Sequence, residues 1–178
     1  MRKVVLYELL SLDGVAEAPD QFFTDWDDEM QANMVRVIGS QDAVILGRRT
    51  SDDWSQYWPP RMDHAFGAFI NPVAKYIATS RPLDSAWANA QVIEGDLVDF
   101  VQSLKQREGG DIGVHGSLTV ARTLLTVGLV DEIRVVIAPT VVGAGQRLFD
   151  DVPPLQLESV RSVVSPAGYQ LLDYRIVS

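Results

Sequence analysis

Three short polar segments of the chain each follow an apolar stretch that is typical of a buried strand. Glycine lets a phosphate approach the backbone, the N-terminus of a following helix offers free N–H groups, and arginine binds phosphate through two donors. Because the carboxyl ends of parallel strands meet at one edge of a sheet, these segments predict one site for a molecule with more than one phosphate. Their residues are Gly47, Arg48, Arg49 and Thr50, then Thr79, Ser80 and Arg81, then His115, Gly116 and Ser117.

Each segment also has an ordinary structural explanation. Ser117 stands where the N-cap of a helix is expected, and for a serine considered alone this role is favoured. Arg48, Arg49 and Arg81, taken one at a time, are typical of solvated surface charges. All three segments fall at one predicted sheet edge, and this coincidence favours the anion site.

The sequence gives little support to other chemistries. It contains no cysteine, which excludes thiol nucleophiles, disulfides and thiolate metal sites. His64 and His115 are the only histidines, and neither belongs to a metal-ligand pattern or a Gly-x-Ser-x-Gly turn. A P-loop motif is absent, and Gly143–Leu148 lacks the third glycine of the dinucleotide-binding fingerprint. We therefore expect no metal.

Alternating strand and helix patterns predict the scaffold that positions these segments. Apolar stretches bounded by turn residues predict strands at 3–14, 42–47, 75–82, 90–95 and 111–114. Apolar residues recur at helical spacing over 25–38, with acids in the first turn, where the helix dipole favours them. Further helices are predicted from Arg48, from Asp96 as N-cap, and from Ser117 to about Val127.

The remaining segments predict a loop and a terminal hairpin. Residues 58–69 contain a Pro-Pro pair and several aromatic side chains, which is typical of a loop. Two C-terminal apolar stretches, joined by Pro166-Ala167-Gly168, predict an antiparallel hairpin. Together the elements predict a single α/β domain over 1–178, in three layers: a mainly parallel central sheet, helices on both faces, and the C-terminal antiparallel hairpin.

Charge and hydropathy limit the kinds of molecule that the protein is expected to bind. The 178 residues include 24 acidic and 15 basic side chains, and the net charge is -9. An acidic surface disfavours nucleic acid and anionic membranes as partners. No apolar stretch approaches the ~18 residues that span a bilayer, and the first residues show no signal-peptide cleavage site, so we expect a cytoplasmic protein with a small-molecule substrate.

Several of these segments together carry a family resemblance. "SLDG", "VILGRRT", "IATSRP", "VHGSLTVARTLL" and "GLVDEIRVVIAPTVVGAGQRLF" resemble the dihydrofolate-reductase-like superfamily. Within it, the chain is most similar to the reductase domain of the bifunctional riboflavin-biosynthesis deaminase-reductase. A deaminase half is not expected, because its zinc site needs cysteine ligands and the chain has none.

The resemblance implies NADPH as cofactor. It places the NADPH phosphates at Gly47, Arg48, Arg49 and Thr50, with Arg48 and Thr50 as first choices. It places the adenosine 2′-phosphate at Thr79, Ser80 and Arg81, and the pyrophosphate at Gly116, Ser117, Leu118 and Thr119. His115 departs from the double glycine of dihydrofolate reductases, although the backbone role of Gly116 is retained.

Candidates on the substrate side are fewer. The resemblance implies a carboxylate on the first helix, for which Asp28 is the catalytic candidate, although a helix-start acid favoured by the dipole is the commoner reason for an aspartate there. Asp13 is a candidate for substrate contact, with a turn residue bonded to its own backbone as the favoured alternative. Trp26 is a candidate for stacking on a planar substrate, as are Trp54, Tyr57 and Trp58, while core packing is the commoner role of such side chains.

Three functions remain open from the sequence. The first is an NADPH-dependent reductase of a ribosylaminopyrimidine-like or pterin-like molecule, in riboflavin or folate metabolism. The second is an NADP(H)-binding module without turnover, and the third is a structural domain, which would not need three polar strand ends. The resemblance also implies a homodimer, to which the long terminal strands are suited.

Overall fold

An eight-stranded sheet forms the centre of the computed structural model, which describes residues 1–177. The strands are β1 (Val4–Leu10), β2 (Gln41–Gly47), β3 (Ala74–Ala78), β4 (Ala90–Val92), β5 (Asp111–His115), β6 (Glu132–Ile137), β7 (Gln156–Val164) and β8 (Gln170–Val177). Their order is β4-β3-β2-β5-β1-β6-β8-β7. The first six strands are parallel, and β8 and β7 continue the sheet as an antiparallel pair. The predicted α/β class and the terminal hairpin are confirmed.

Helices cover both faces of this sheet. They are α1 (Asp28–Ile38), α2 (Arg48–Tyr57), α3 (Ala65–Ile70), α4 (Leu97–Gln106) and α5 (Leu118–Thr126), with a 3₁₀ turn at Pro19–Gln21. α4 and α5 contribute buried side chains to one hydrophobic cluster, and α1 and α3 contribute theirs to another. The sheet separates the two clusters because side chains of a strand alternate between its faces: in β2, Ile45 belongs to the first cluster, whereas Val44 and Leu46 belong to the second.

Aspartate caps fix where two of the helices begin. The predicted helix over 25–38 begins at Asp28, because the Asp27 carboxylate accepts the Met30 N–H at 2.9 Å. The same aspartate accepts the Ala167 N–H at 3.0 Å and so links α1 to the turn of the hairpin. Asp96 accepts the N–H groups of Val98 and Asp99, which confirms it as the cap of α4.

The prediction of a loop over 58–69 is wrong for its second part. α3 begins at Ala65, directly after His64, whose Nδ1 accepts the Phe66 N–H at 3.2 Å. The prolines precede this start and do not interrupt the helix, while Phe66 and Ile70 bury its apolar side. Gly67 is required for close packing, because a Cβ there would lie 2.0 Å from the Arg61 carbonyl oxygen.

The register of the central strands opens a crevice at their carboxyl ends. β5 lies between β2 and β1 and ends at His115, which pairs with Tyr7. β1 continues to Leu10, so Glu8 lies just beyond the end of β5. On the other side, β2 ends at Gly47, where α2 begins. A short strand between two longer ones leaves open space where parallel sheets bind ligands.

Candidate functional site

Two cavities occupy this crevice and meet in its middle. A polar cavity of about 610 Å³ lies on the side of β2 and the start of α5. An aromatic cavity of about 270 Å³ lies on the side of β1, between α1, α2 and α3. Glu8, Pro19, Trp54 and Gly116 line both cavities. A molecule in one cavity can therefore contact a molecule in the other.

The polar cavity is formed where α2 and α5 begin. Its wall includes predicted cofactor residues from both helix starts: Gly47, Arg48, Arg49, Thr50, Gly116, Ser117, Leu118 and Thr119. Free N–H groups and the dipole of a helix N-terminus favour an anion, and here two such ends face one cavity. The two turns are fastened to each other by the Thr50 hydroxyl, which donates to the Gly116 carbonyl at 2.7 Å.

Glycine is required at the contact between these two turns. A Cβ on Gly47 would lie 2.4 Å from the Ser117 hydroxyl oxygen, and one on Gly116 would lie 3.1 Å from Cζ2 of Trp54. Gly116 also has a φ of +60°, a left-handed conformation that glycine adopts without strain. The turns therefore leave their backbone open to the cavity, as a phosphate cradle requires.

Ser117 occupies the predicted N-cap position but does not cap the helix with its side chain. Ser117 is the N-cap residue of α5, but its side chain makes no capping hydrogen bond. Its φ is -122° and its ψ is 94°, and its hydroxyl lies against Gly47. The expectation of a serine side-chain cap is therefore wrong. The Ser117 hydroxyl does not occupy the N–H groups at the start of α5, which stay free to donate to a ligand.

The arginines of the polar cavity differ in their partners. Arg48 pairs with Asp52 at 2.8 Å and with Asp84 at 2.5 Å. Those two carboxylates raise the pKa of Arg48, and as ion-pair partners they occupy its guanidinium. Arg49 is exposed, and within residues 1–177 its side chain forms no ion pair or hydrogen bond with the protein. Arg49 is therefore better placed than Arg48, the first choice of the sequence, to bind a phosphate.

Three predicted cofactor residues lie outside the cavity walls. Thr79, Ser80 and Arg81 follow β3, whose last residue Ala78 does line the polar cavity. Ser80 and Arg81 are exposed, and the Thr79 hydroxyl accepts the Arg81 N–H at 3.1 Å. Their contact with a 2′-phosphate stays a prediction.

The structure does not bring Asp28 or Asp13 into the crevice. Asp28 is exposed at the start of α1 and lines neither cavity. Asp13 accepts the Ser11 hydroxyl at 2.7 Å and the N–H groups of Val142 and Gly143, and these bonds hold the pKa of its carboxyl well below the usual range. Asp13 therefore fastens the 142–143 loop to the end of β1, a distant contact that the turn interpretation did not include.

Aromatic side chains form most of the second cavity. Tyr7, Trp26, Trp54, Trp58, Phe66 and His115 all line it. The Trp54 and Phe66 ring centroids lie 5.4 Å apart at 84°, and those of Trp58 and Phe66 lie 4.9 Å apart at 56°. Trp26 is half-exposed at the cavity, whereas Tyr57 lies outside it with Arg61 over its ring. The walls are suited to a planar ring.

Glu8 is the acid at the junction, and the sequence interpretation missed it. It is 6% exposed, its Oε1 has no hydrogen-bond partner, and burial raises the pKa of its carboxyl to about 8. The Gly116 amide opposes this shift by favouring the ionised form. A carboxyl group that keeps its proton at pH 7 is suited to donate it. The available signal was a glutamate inside the apolar strand "VVLYELL".

His115 is a buried neutral ring. Its Nε2 lies 2.7 Å from the Gln41 side-chain oxygen, and burial lowers the pKa of the imidazole to about 3. Its ring packs at an angle against Tyr7 and Phe66. Within the described part of the chain, no group of three metal-ligating side chains comes together. None of the helices in residues 1–177 is long and apolar enough to cross a membrane.

The fold is that of a dihydrofolate reductase-like domain. It is defined by the strand order β4-β3-β2-β5-β1-β6-β8-β7, by the antiparallel terminal hairpin, and by a crevice at which α2 and α5 begin. The sequence model of the RibD C-terminal domain matches residues 2–171. The chain belongs to the RibD C-terminal domain family.

The chain is also similar to a curated protein and to solved structures. The uncharacterised protein YyaP of Bacillus subtilis (strain 168) is 30% identical over 189 residues, which cover 97% of this chain and 94% of YyaP. A structure from Shewanella sp. PV-4, whose name refers to riboflavin biosynthesis, superposes with a TM-score of 0.78 at 18% identity over 99% of both chains. Dihydrofolate reductase from Enterococcus faecalis, complexed with NADP(H) and RAB-propyl, superposes with a TM-score of 0.64 at 14% identity. The match covers 99% of this chain and 97% of that one. At these identities, the two structures show the fold.

Proposed function

We propose that the protein is an NADPH-dependent reductase of a small heterocyclic molecule, with the cofactor in the polar cavity and the substrate in the aromatic one. The observation that carries this proposal is the junction of the two cavities at Glu8, Trp54 and Gly116. Family membership and the dihydrofolate reductase-like fold support a reductase-type role in riboflavin or folate metabolism.

The residues of the polar cavity fit a dinucleotide. Its phosphates would be held by the backbone at the starts of α2 and α5, with Arg49 as the unpaired cation. When bound there, NADPH supplies the hydride that reduces a C=N or C=O bond. The contribution of the chain is to hold both molecules against each other and to exclude water around the reacting atoms.

Glu8 supplies the proton in this proposal. Reduction of a C=N or C=O bond adds a proton to the nitrogen or oxygen while the carbon receives the hydride. Glu8 lines both cavities, and its Oε1 makes no hydrogen bond within the protein. The proton would therefore pass from the Glu8 carboxyl to the substrate heteroatom.

The presence of this acid favours turnover over a binding module. A module that only binds NADP(H) does not need a protonated carboxyl where its two cavities meet. The direct test is to incubate the purified protein with NADPH and pterin- or ribosylaminopyrimidine-type compounds and to follow the loss of absorbance at the nicotinamide band. NADPH binding without oxidation by any such compound would support the module instead.

Arg49 is expected to contribute to cofactor affinity. Removing an unpaired guanidinium from a phosphate contact costs about 1.5–3 kcal/mol, so Arg49→Ala should weaken NADPH binding by roughly ten- to a hundredfold. The measurement is a fluorescence titration with NADPH and with NADH. Arg107→Ala is the matched control, because it removes one exposed arginine beyond the end of α4. Equal affinities of the two variants for NADPH would exclude Arg49 as a phosphate ligand.

We also propose that the protein forms a homodimer through β7. This nine-residue edge strand exposes Leu157, Val160 and Val164, and an unpaired apolar edge is a surface that a second copy can cover. Sedimentation should give twice the chain mass of 19.7 kDa. Val160→Glu should dissociate the dimer, whereas Val35→Glu, at an exposed valine of α1, should not. Wild-type particles of 19.7 kDa alone would exclude the dimer.

A further inference from the structure

Unpartnered polar atoms gather around the aromatic cavity. Four buried side-chain atoms in residues 1–177 have no hydrogen-bond partner: the Tyr7 hydroxyl, Oε1 of Glu8, Nε2 of Gln41 and Nε1 of Trp58. Tyr7, Glu8 and Trp58 all line this cavity, and Gln41 contacts His115, which lines it as well. Asn33 is close enough to affect the Tyr7 phenol, but no hydrogen bond of ordinary geometry forms.

Such atoms are costly unless a ligand satisfies them. A buried polar group without a partner costs about 1–3 kcal/mol, and native proteins contain few of them. The indole N–H of Trp58 is a donor only, whereas the Tyr7 hydroxyl and the protonated Glu8 carboxyl can both donate and accept. A heterocycle that carries carbonyl oxygens or ring nitrogens together with N–H groups offers partners of the kind that these three groups lack.

The wall of the aromatic cavity contains no arginine or lysine. Its lining residues in the described chain are aromatic, aliphatic or proline side chains, one glycine, two histidines and Glu8. Burial keeps His115 neutral, and Nδ1 of His64 accepts the Phe66 N–H at 3.2 Å.

Arginines near this wall are engaged elsewhere. Arg36, whose charge acts on the Tyr7 phenol, pairs with Asp173 at 2.7 Å. Arg61 follows Trp58 in the chain, but its guanidinium lies 3.8 Å over the Tyr57 ring and donates to the Tyr57 carbonyl. A phosphate or carboxylate placed in the aromatic cavity would therefore find no arginine or lysine in its wall to pair with.

The cavity is also small. Its volume of about 270 Å³ lies just below the range of roughly 300–1,000 Å³ that is usual for small-molecule sites. This space is sufficient for a bicyclic ring. The unpaired arginine of the crevice, Arg49, lines the polar cavity only.

From this geometry we infer that the substrate is an uncharged planar heterocycle without a phosphate or carboxylate tail, bound through an amide-like ring edge. This inference rests on the proposed function, and it narrows the substrate class of the same site. It separates this chain from any reductase whose substrate is a sugar phosphate or carries a glutamate tail.

Matched ligand pairs test the inference. Each pair shares one ring: pterin with pterin-6-carboxylate, and a ribosylaminopyrimidine with its 5′-phosphate. Binding is measured by quenching of tryptophan fluorescence in the NADPH-free and the NADP⁺-saturated protein, because Trp26, Trp54 and Trp58 line the cavity. We expect the uncharged member of each pair to bind more tightly by roughly tenfold or more. Equal binding, or tighter binding of the charged member, would overturn the inference.

A variant that adds a cation shows whether the cavity itself sets this preference. Trp26 is 40% exposed and lines the cavity, so an arginine there can be accommodated without burying its charge. Trp26→Arg should reduce the preference for the uncharged member by roughly tenfold, whereas Trp26→Gln should leave the ratio unchanged. If Trp26→Arg binds the two members in the wild-type ratio, the preference does not arise in this cavity and the assignment fails.

The outcomes separate this inference from the proposed function. If the protein oxidises NADPH and prefers the charged member of a pair as substrate, the proposed reductase function stands and the inference of an uncharged substrate is rejected. If NADPH does not bind but the uncharged rings quench the tryptophan fluorescence selectively, the proposed reductase function is rejected and the inferred preference for uncharged rings stands. Wild-type folding is checked in every variant by circular dichroism and thermal unfolding.

Discussion

Replacing Glu8 by glutamine is expected to reduce kcat by roughly 10²- to 10⁴-fold, the usual contribution of a positioned proton donor. Glutamine has nearly the same shape but cannot release a proton at its amide nitrogen. Cofactor affinity should change little, because the polar cavity owes its anion-binding groups to the starts of α2 and α5. The measurement is steady-state NADPH oxidation with the substrate found by screening, with kcat and KM determined separately.

The pH dependence of kcat gives a second signature of Glu8. An acid donor acts in its protonated form, and burial raises the pKa of this carboxyl to about 8. The wild-type kcat should therefore be highest below this value and should fall as pH rises through about 8. A residual activity of Glu8→Gln that kept the same fall would show that another group supplies the proton.

Loss of folding does not explain a lower kcat of Glu8→Gln. The folded pKa of Glu8 lies above its ordinary value of 4.5, so its stabilising contribution is complete below pH 4.5 and is lost as pH rises through about 8. Glu8→Gln lacks this loss and should be at least as stable as the wild type at pH 8. Asp28→Asn, at the exposed acid that the sequence proposed, should change kcat less than roughly threefold, since Asp28 lines neither cavity.

The largest expected loss of stability is that of Lys75→Met, about 3–5 kcal/mol in the free energy of unfolding. Lys75 is 0% exposed, and its ammonium donates to the Ile70, Asn71 and Val73 carbonyls at 2.8–2.9 Å. Burial lowers its pKa to about 8, so the group is still protonated at pH 7. Its Nζ also lies 4.5 Å from the centre of the Trp87 ring.

Methionine fills the space of the lysine but leaves these carbonyls without their donor. Each such carbonyl that stays buried and unpaired costs about 1–3 kcal/mol. Urea unfolding followed by tryptophan fluorescence measures the loss. Lys3→Met is the matched control, because Lys3 is half-exposed and makes one contact, with Glu132 at 2.7 Å, so its loss should be below about 1 kcal/mol. A similar small loss in Lys75→Met would show that water or a backbone shift satisfies the carbonyls.

Lys75 also supports the site, although it lies in neither cavity wall. Two of its acceptors, the Ile70 and Asn71 carbonyls, are at the C-terminal end of α3. The same helix carries Phe66 and begins beside His64, and both line the aromatic cavity. A weakened end of α3 should therefore lower substrate affinity in the variant as well as stability.

The sequence by itself determined most of the elements and the residues of the polar cavity at the starts of α2 and α5. Local patterns were sufficient there, because glycine, arginine and a following helix are adjacent in the chain at Gly47–Thr50 and at Gly116–Thr119. The Asp96 cap and the hairpin turn at 166–168 were predictable for the same reason. In each case, the residues that make the structure are within a few positions of one another.

Tertiary structure alone decided which acid lines both cavities and which arginine of the polar cavity stays unpaired. Glu8 faces the crevice because β5 stops at His115 while β1 continues, and strand register is a relation between distant segments. Arg48 is paired because Asp84, 36 positions away, reaches it, which leaves Arg49 unpaired. The pKa of Glu8 likewise depends on burial by side chains from several elements, and burial is a property of the folded chain.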